Sequence, residues 1–172
     1  MKRLSTVAAA LSVALVFASV AAAQLPTRPH PRTPPNDQRV ITIALQAGSD
    51  SYRFTGRATC KHEPKGYIYM IPAQLWTVEQ SEGTRSVMLT FWRPASGSDM
   101  FTLYLHASGK AYAASTVKTP HGGSMKGSGE VTFARTGIGG TFTVNATADN
   151  GAKITGTLRC DSFGAVIAEG GN

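Results

Sequence analysis

The chain has 172 residues, 42% of them hydrophobic, and carries 17 Lys and Arg against 10 Asp and Glu, a net charge of +7. About 130 residues beyond the N-terminal region suffice for one hydrophobic core and are too few for two. The charge is not a nucleic-acid footprint: from Val40 onward twelve cations stand against nine acids, scattered singly, with no basic run and no face of interleaved aromatics.

The N-terminus has the form of a bacterial export signal. Met1-Lys2-Arg3 supplies positive charge, and Leu4 to Val20 is apolar apart from Ser5, Thr6, Ser12 and Ser19. Ala21-Ala22-Ala23 then offers the small residues that a signal peptidase reads. Residues 1–23 are expected to be cleaved, with Gln24 as the mature start and the protein periplasmic or extracellular. The alternative is an uncleaved anchor. No later segment is apolar enough to span a bilayer, so no stable membrane insertion is expected once the signal is gone.

Residues 24–39 read as a proline-rich linker, with Pro26, Pro29, Pro31, Pro34 and Pro35 among Arg28, His30, Arg32 and Thr33. Proline fixes φ and lacks an N–H, so this stretch is expected to stay out of any sheet and run as an extended spacer. A PxxP-type ligand is the functional alternative to a spacer.

Residues 40–163 read as a secreted β domain. Thr, Val, Ile, Tyr and Phe dominate, short turn signals punctuate them, and no window holds a 3.6-residue apolar period. Strands are expected near 40–46, 51–60, 67–71, 74–80, 85–93, 99–107, 112–118, 129–135, 140–148 and 152–160. The fold class is all-β: an antiparallel β-sandwich or small β-barrel of about eight to ten short strands, with one disulfide. Residues 164–172 form a C-terminal tail that either adds an edge strand or frays.

Cys60 and Cys160 are the two cysteines. Phe54, Gly56, Ala58 and Cys60 share one strand face, with Arg53, Arg57 and Lys61 on the other. Across the Asp149-Asn150-Gly151 turn, Phe142, Val144, Ala146 and Ala148 are followed by Ile154, Gly156, Leu158 and Cys160 in the same alternation. Both thiols therefore point inward, and in an oxidising compartment they are expected to bridge. Cys60-Lys61-His62 as a redox or metal site lacks the CxxC spacing.

The central hairpin carries the candidate binding site. With Pro94 to Ser98 as a five-residue loop, Arg93 faces Asp99. One face then pairs Phe91 with Phe101, Leu89 with Leu103 and Val87 with Leu105. The other pairs Trp92 with Met100, Thr90 with Thr102, Met88 with Tyr104 and Ser86 with His106. The first face is core. The second is too apolar for plain solvent and has polar tips: either another layer covers it, or it is a recognition platform. Met88, Met100 and His106 also raise Cu(I), but no MxxM or HxH cluster occurs and no metal or cofactor is expected. The Thr119–Gly129 loop, with His121 and Lys126, reads as a strand connection or a docking loop.

Catalytic signals are weak. Ser115-Thr116-Val117-Lys118 matches SxxK, yet on a strand Ser115 and Lys118 point to opposite faces, and the accompanying SDN and KTG motifs are absent. Neither GxSxG nor HExxH occurs. These observations lead to an exported, non-catalytic binding module of the cell envelope, an inhibitor or ligand-binding protein. Its expected binding residues are Trp92, Met88, Met100, Tyr104, His106 and His121, and its partner a protein or small ligand rather than nucleic acid. A small envelope hydrolase using His121 or His62 with a nearby acid is the enzyme alternative, and a structural envelope protein the third reading.

Overall fold

The structure, a computed structural model, describes residues 38–117 and 126–165, which form ten strands. In chain order they are β1 (Gln38–Ala47), β2 (Asp50–Ile68), β3 (Ile71–Glu82), β4 (Arg85–Pro94), β5 (Met100–Ala107), β6 (Lys110–Ser115), β7 (Ser128–Thr136), β8 (Gly139–Thr147), β9 (Lys153–Cys160) and the short β10 (Gly164–Ala165). Nine of them make one antiparallel path in the order β6–β5–β4–β3–β2–β1–β9–β8–β7, and β10 lies parallel to β2. Two meanders thus meet where β9 pairs with β1.

Period-2 alternation gives the sheet its two faces. Along β1, Ile41, Ile43, Leu45 and Ala47 are buried while Thr42 and Gln46 are exposed. The same phase on the other strands sends Phe91, Leu103, Leu105, Phe142, Ile154 and Leu158 into one core filled by its own side chains. The path curls until β6 approaches the second meander. There the Ser115 N–H donates to the Lys126 carbonyl and the Asp149 N–H to that of Ala113, without a strand ladder. The barrel is nearly closed.

A second opening lies between β2 and β3. Their ladder runs from Ile68–Ile71 to Thr59–Glu79 and stops, leaving Asp50–Ala58 of β2 paired only with β1. The fold is therefore part barrel and part sandwich. Its lower end carries the turns at 48–49, 83–84, 108–109 and 149–151. The upper end carries those at 69–70 and 137–138, together with the 95–99 loop.

The disulfide joins Cys60 of β2 to Cys160 of β9, with Cα atoms 6.3 Å apart. Both strands flank β1, and the bridge sits where β1 begins, as the inward phase of the two cysteines predicts. Past it the chain turns so that Gly164–Ala165 pairs with Lys61–His62, an edge that β1 leaves vacant. The tail's edge strand is real over those two residues.

Three expectations are corrected. The strand expected at 67–71 is instead the tip of a long hairpin: β2 continues through Pro64 to Ile68, with a bulge between Glu63 and Gly66, and the chain reverses at Tyr69-Met70. The bulge absorbs the residues that made the segment look broken. The linker boundary at 39 is also too late, because Gln38 and Arg39 already pair with Thr59 and Ala58. The proline cluster ends at Pro35, so nothing in those two residues withholds an N–H from the ladder. Finally, β6 runs 110–115 rather than 112–118, because the Ser108-Gly109 turn starts it two residues earlier. The expected signal, residues 24–37 of the expected linker, residues 119–125 of the 119–129 loop and residues 166–172 of the expected tail lie outside the described residues.

Candidate functional site

The central hairpin has the register expected from its loop: Trp92 pairs with Met100, Thr90 with Thr102, Met88 with Tyr104 and Ser86 with His106. Arg93 and Asp99 close it with two hydrogen bonds from Nε at 3.2 Å and one from Nη2 at 2.8 Å. β3 extends each row outward on the same face. Leu75, Trp92 and Met100 form the uppermost row; Thr77, Thr90 and Thr102 the next; Glu79, Met88 and Tyr104 the third; Ser81, Ser86 and His106 the last.

This face points away from the core. Met88 and Tyr104 are 37% and 38% exposed, His106 is exposed, and Trp92, Met100 and Leu75 are half-buried against their row neighbours. The threonine row is held by Thr102 Oγ1 and Ser115 Oγ at 2.9 Å, which fixes β6 beside it. Trp92, Met88, Met100, Tyr104 and His106 are thus brought onto one surface, with aromatic bodies and polar tips available to a partner. His121 lies outside the described residues.

The methionines do not gather. Met88 and Met100 are on adjacent strands but four residues apart along them, roughly 13 Å, and His106 lies six residues beyond Met100, roughly 20 Å. Among the described residues no group of three or more His, Cys, Asp or Glu side chains is placed to hold a metal ion.

Two features escaped the sequence reading. The first is a groove of about 400 Å³ at the opening between β2 and β3, lined by Arg57 and Thr59 on one side and Glu79, Ser81, Ser86 and Met88 on the other. It runs directly into the platform through Met88 and Ser86. Gln80 belongs to its lining, is buried, and leaves its side-chain oxygen Oε1 without a hydrogen-bond partner. A buried acceptor left unpaired is costly unless a donor reaches it. Alternation alone could flag Gln80 as a polar residue in core phase after Trp76 and Val78, but only the divergence of β2 and β3 creates the groove.

The second is the environment of His62. Its ring stacks on Trp76, with centroids 4.4 Å apart and planes 13° apart, and Nε2 lies 3.3 Å from Gln74 Oε1. Phe163 meets it edge-on, and Arg135 adds positive charge nearby. Burial pushes the imidazole pKa down from its ordinary value, Gln74 opposes that shift, and Arg135 adds to it. Trp76, Phe163, Gln74 and Arg135 thus set the environment of the imidazole. No protein-family model, curated protein or solved structure matches this chain.

Proposed function

We propose that this protein is an exported, non-catalytic binding module of the cell envelope, and that it recognises its partner with the outer face of β3–β5. The observation that carries the reading is the outward apolar face of Trp92, Met100, Met88 and Tyr104, continuous with the groove over Gln80. A packed interior favours a surface binder over a carrier that encloses its ligand. Export is supported by the Cys60–Cys160 disulfide, which persists in oxidising compartments. No helix of the described residues is long and apolar enough to cross a membrane.

Capture from the envelope fraction of the host, followed by titration of the purified partner, tests this. Tyr104→Ala removes an exposed side chain and is expected to change folding stability by less than about 1 kcal/mol. It should weaken partner binding by roughly tenfold or more, the range expected of an aromatic anchor. Trp92→Ala should do the same. If a captured partner binds Tyr104→Ala as tightly as the parent chain, the face is not the recognition surface.

A further inference from the structure

The barrel wall is unsealed where β2 and β3 part. Below the Thr59–Glu79 pair, Asp50–Ala58 of β2 pairs with β1 alone, and Gln80–Glu82 of β3 pair only with β4. Alternate residues on each edge present N–H and C=O groups for which no ladder exists among the described residues. The core is open along the same stretch. On β1 the inward residues Ile41 and Ile43 are 0% and 1% exposed, yet Gly56 and Phe54, their partners on β2, are only half-buried. Phe54 folds back along its own strand, so that a Cβ on Gly56 would lie 2.9 Å from the tip of its ring. On the facing edge, Gln80 is the first β3 residue past the ladder, and it holds the buried, unpartnered Oε1. Arg85 closes the lower end on the core side, its guanidinium 4.8 Å from the centre of the Tyr52 ring. The open stretch of β2 is therefore Arg53–Ala58.

Charge along this edge selects what can fill it. Its outward residues Arg53, Thr55 and Arg57 are all exposed. Neither arginine has an ion-pair or hydrogen-bond partner among the described residues. Continuing the register puts Arg57 level with Ser81 and Arg53 beyond the end of β3. Glu79 belongs to the closed row above, and Glu82 is in register with Arg85. A second copy pairing edge to edge about Thr55 would set Arg53 against Arg57, and like charges directly opposite are destabilising.

We propose that this gap takes an extended segment of the partner protein as an added strand along Arg53–Ala58. Acidic side chains of that strand lie beside Arg53 and Arg57, and an apolar one covers Phe54 and Gly56. Strand edges recognise an extended main chain through its hydrogen bonds, and the period-2 alternation of side chains supplies the specificity. Because Gln80 lines the groove, the segment also brings N–H donors to the one buried side-chain acceptor that the described residues leave unpaired. This rests on the binding reading above for the existence of a partner, and adds the chemistry of the segment that the gap holds.

The probe is a capped heptapeptide alternating glutamate with valine, added in excess to the full chain, with amide exchange read residue by residue. Exchange of the gap-facing amides within Arg53–Ala58 should slow by roughly tenfold or more, while the amides of β8 stay unchanged. The counterpart alternating lysine with valine should give no protection. Arg57→Glu should weaken the glutamate peptide by roughly fivefold or more, and Arg53→Glu should do the same. Arg57→Lys, which keeps the charge, should stay within about twofold of the parent. No protection along β2, equal protection by the two peptides, or undiminished binding by both charge-reversed variants overturns the proposal. Exchange is read at the gap itself, so these outcomes stand whatever Tyr104→Ala does to partner capture.

Discussion

Asp50 shows how one side chain ties distant parts of the chain together. It opens β2, yet it accepts hydrogen bonds from the Tyr112 hydroxyl and from Lys110 Nζ, the latter at 3.1 Å, sixty residues away in β6. Those two donors, Tyr112 foremost, hold its carboxyl below the ordinary carboxylate value. A folded pKa below the unfolded one means that the unfolded chain binds more protons in acid. The stabilisation is therefore complete above about pH 4 and disappears as pH falls through the folded value. Asp50→Asn should lower the urea midpoint at pH 7, and the gap to the parent should close as pH falls below the ordinary carboxylate range. A gap that stays constant with pH would show that the Asp50 carboxylate contributes nothing through its charge. His62 acts in a higher window. Its folded pKa is depressed, so it withdraws stability as pH falls below the ordinary histidine value of about 6.5.

Among the elements, β9 depends on one backbone position. Gly156 faces Leu45 of β1 and Val144 of β8, and its φ is +134°. A Cβ there would lie 2.0 Å from the Ala44 carbonyl oxygen and 2.9 Å from the Leu45 Cα, both backbone atoms of a paired strand. Neither can rotate away as a side-chain tip could. Gly156→Ala should cost about 2 kcal/mol or more, seen as a lower denaturation midpoint. Amide exchange along β1 and β9 should rise before it does in β4 and β5. A neutral outcome would mean that β9 can shift against β1 without loss. Sequence alternation placed Gly156 correctly in the inward phase, between Ile154 and Leu158. It did not show that the missing side chain is what lets β1 approach, because β1 and β9 are more than a hundred residues apart in the chain.

At the scale of the whole molecule, the Cys60–Cys160 bridge closes a loop of 100 residues and links the two meanders where β1 starts. The chain-entropy model assigns such a bridge roughly 4 to 5 kcal/mol, with measured values often smaller. A Cys60→Ser, Cys160→Ser double variant should lose roughly 2 to 5 kcal/mol of unfolding free energy in denaturant titrations. It should also free the β10 pairing at Lys61–His62, read as faster amide exchange there. Unchanged stability would mean that the β1–β2 and β1–β9 ladders hold the ends together unaided.

The sequence by itself determined the all-β class, most strand positions, the inward phase of both cysteines and the register of the β4–β5 hairpin from Arg93–Asp99 down to Ser86–His106. These are local quantities: period-2 alternation and loop length act within a few residues, and both are written in the side chains. The tertiary structure alone decided that β9 pairs with β1, that β2 and β3 part below Thr59–Glu79, and that the platform residues face outward beside a groove. It also decided that Tyr69-Met70 is a turn rather than part of a strand. Each of these depends on which distant segments meet around the core. Burial of a shared apolar face selects that arrangement, and no window of neighbouring residues contains it.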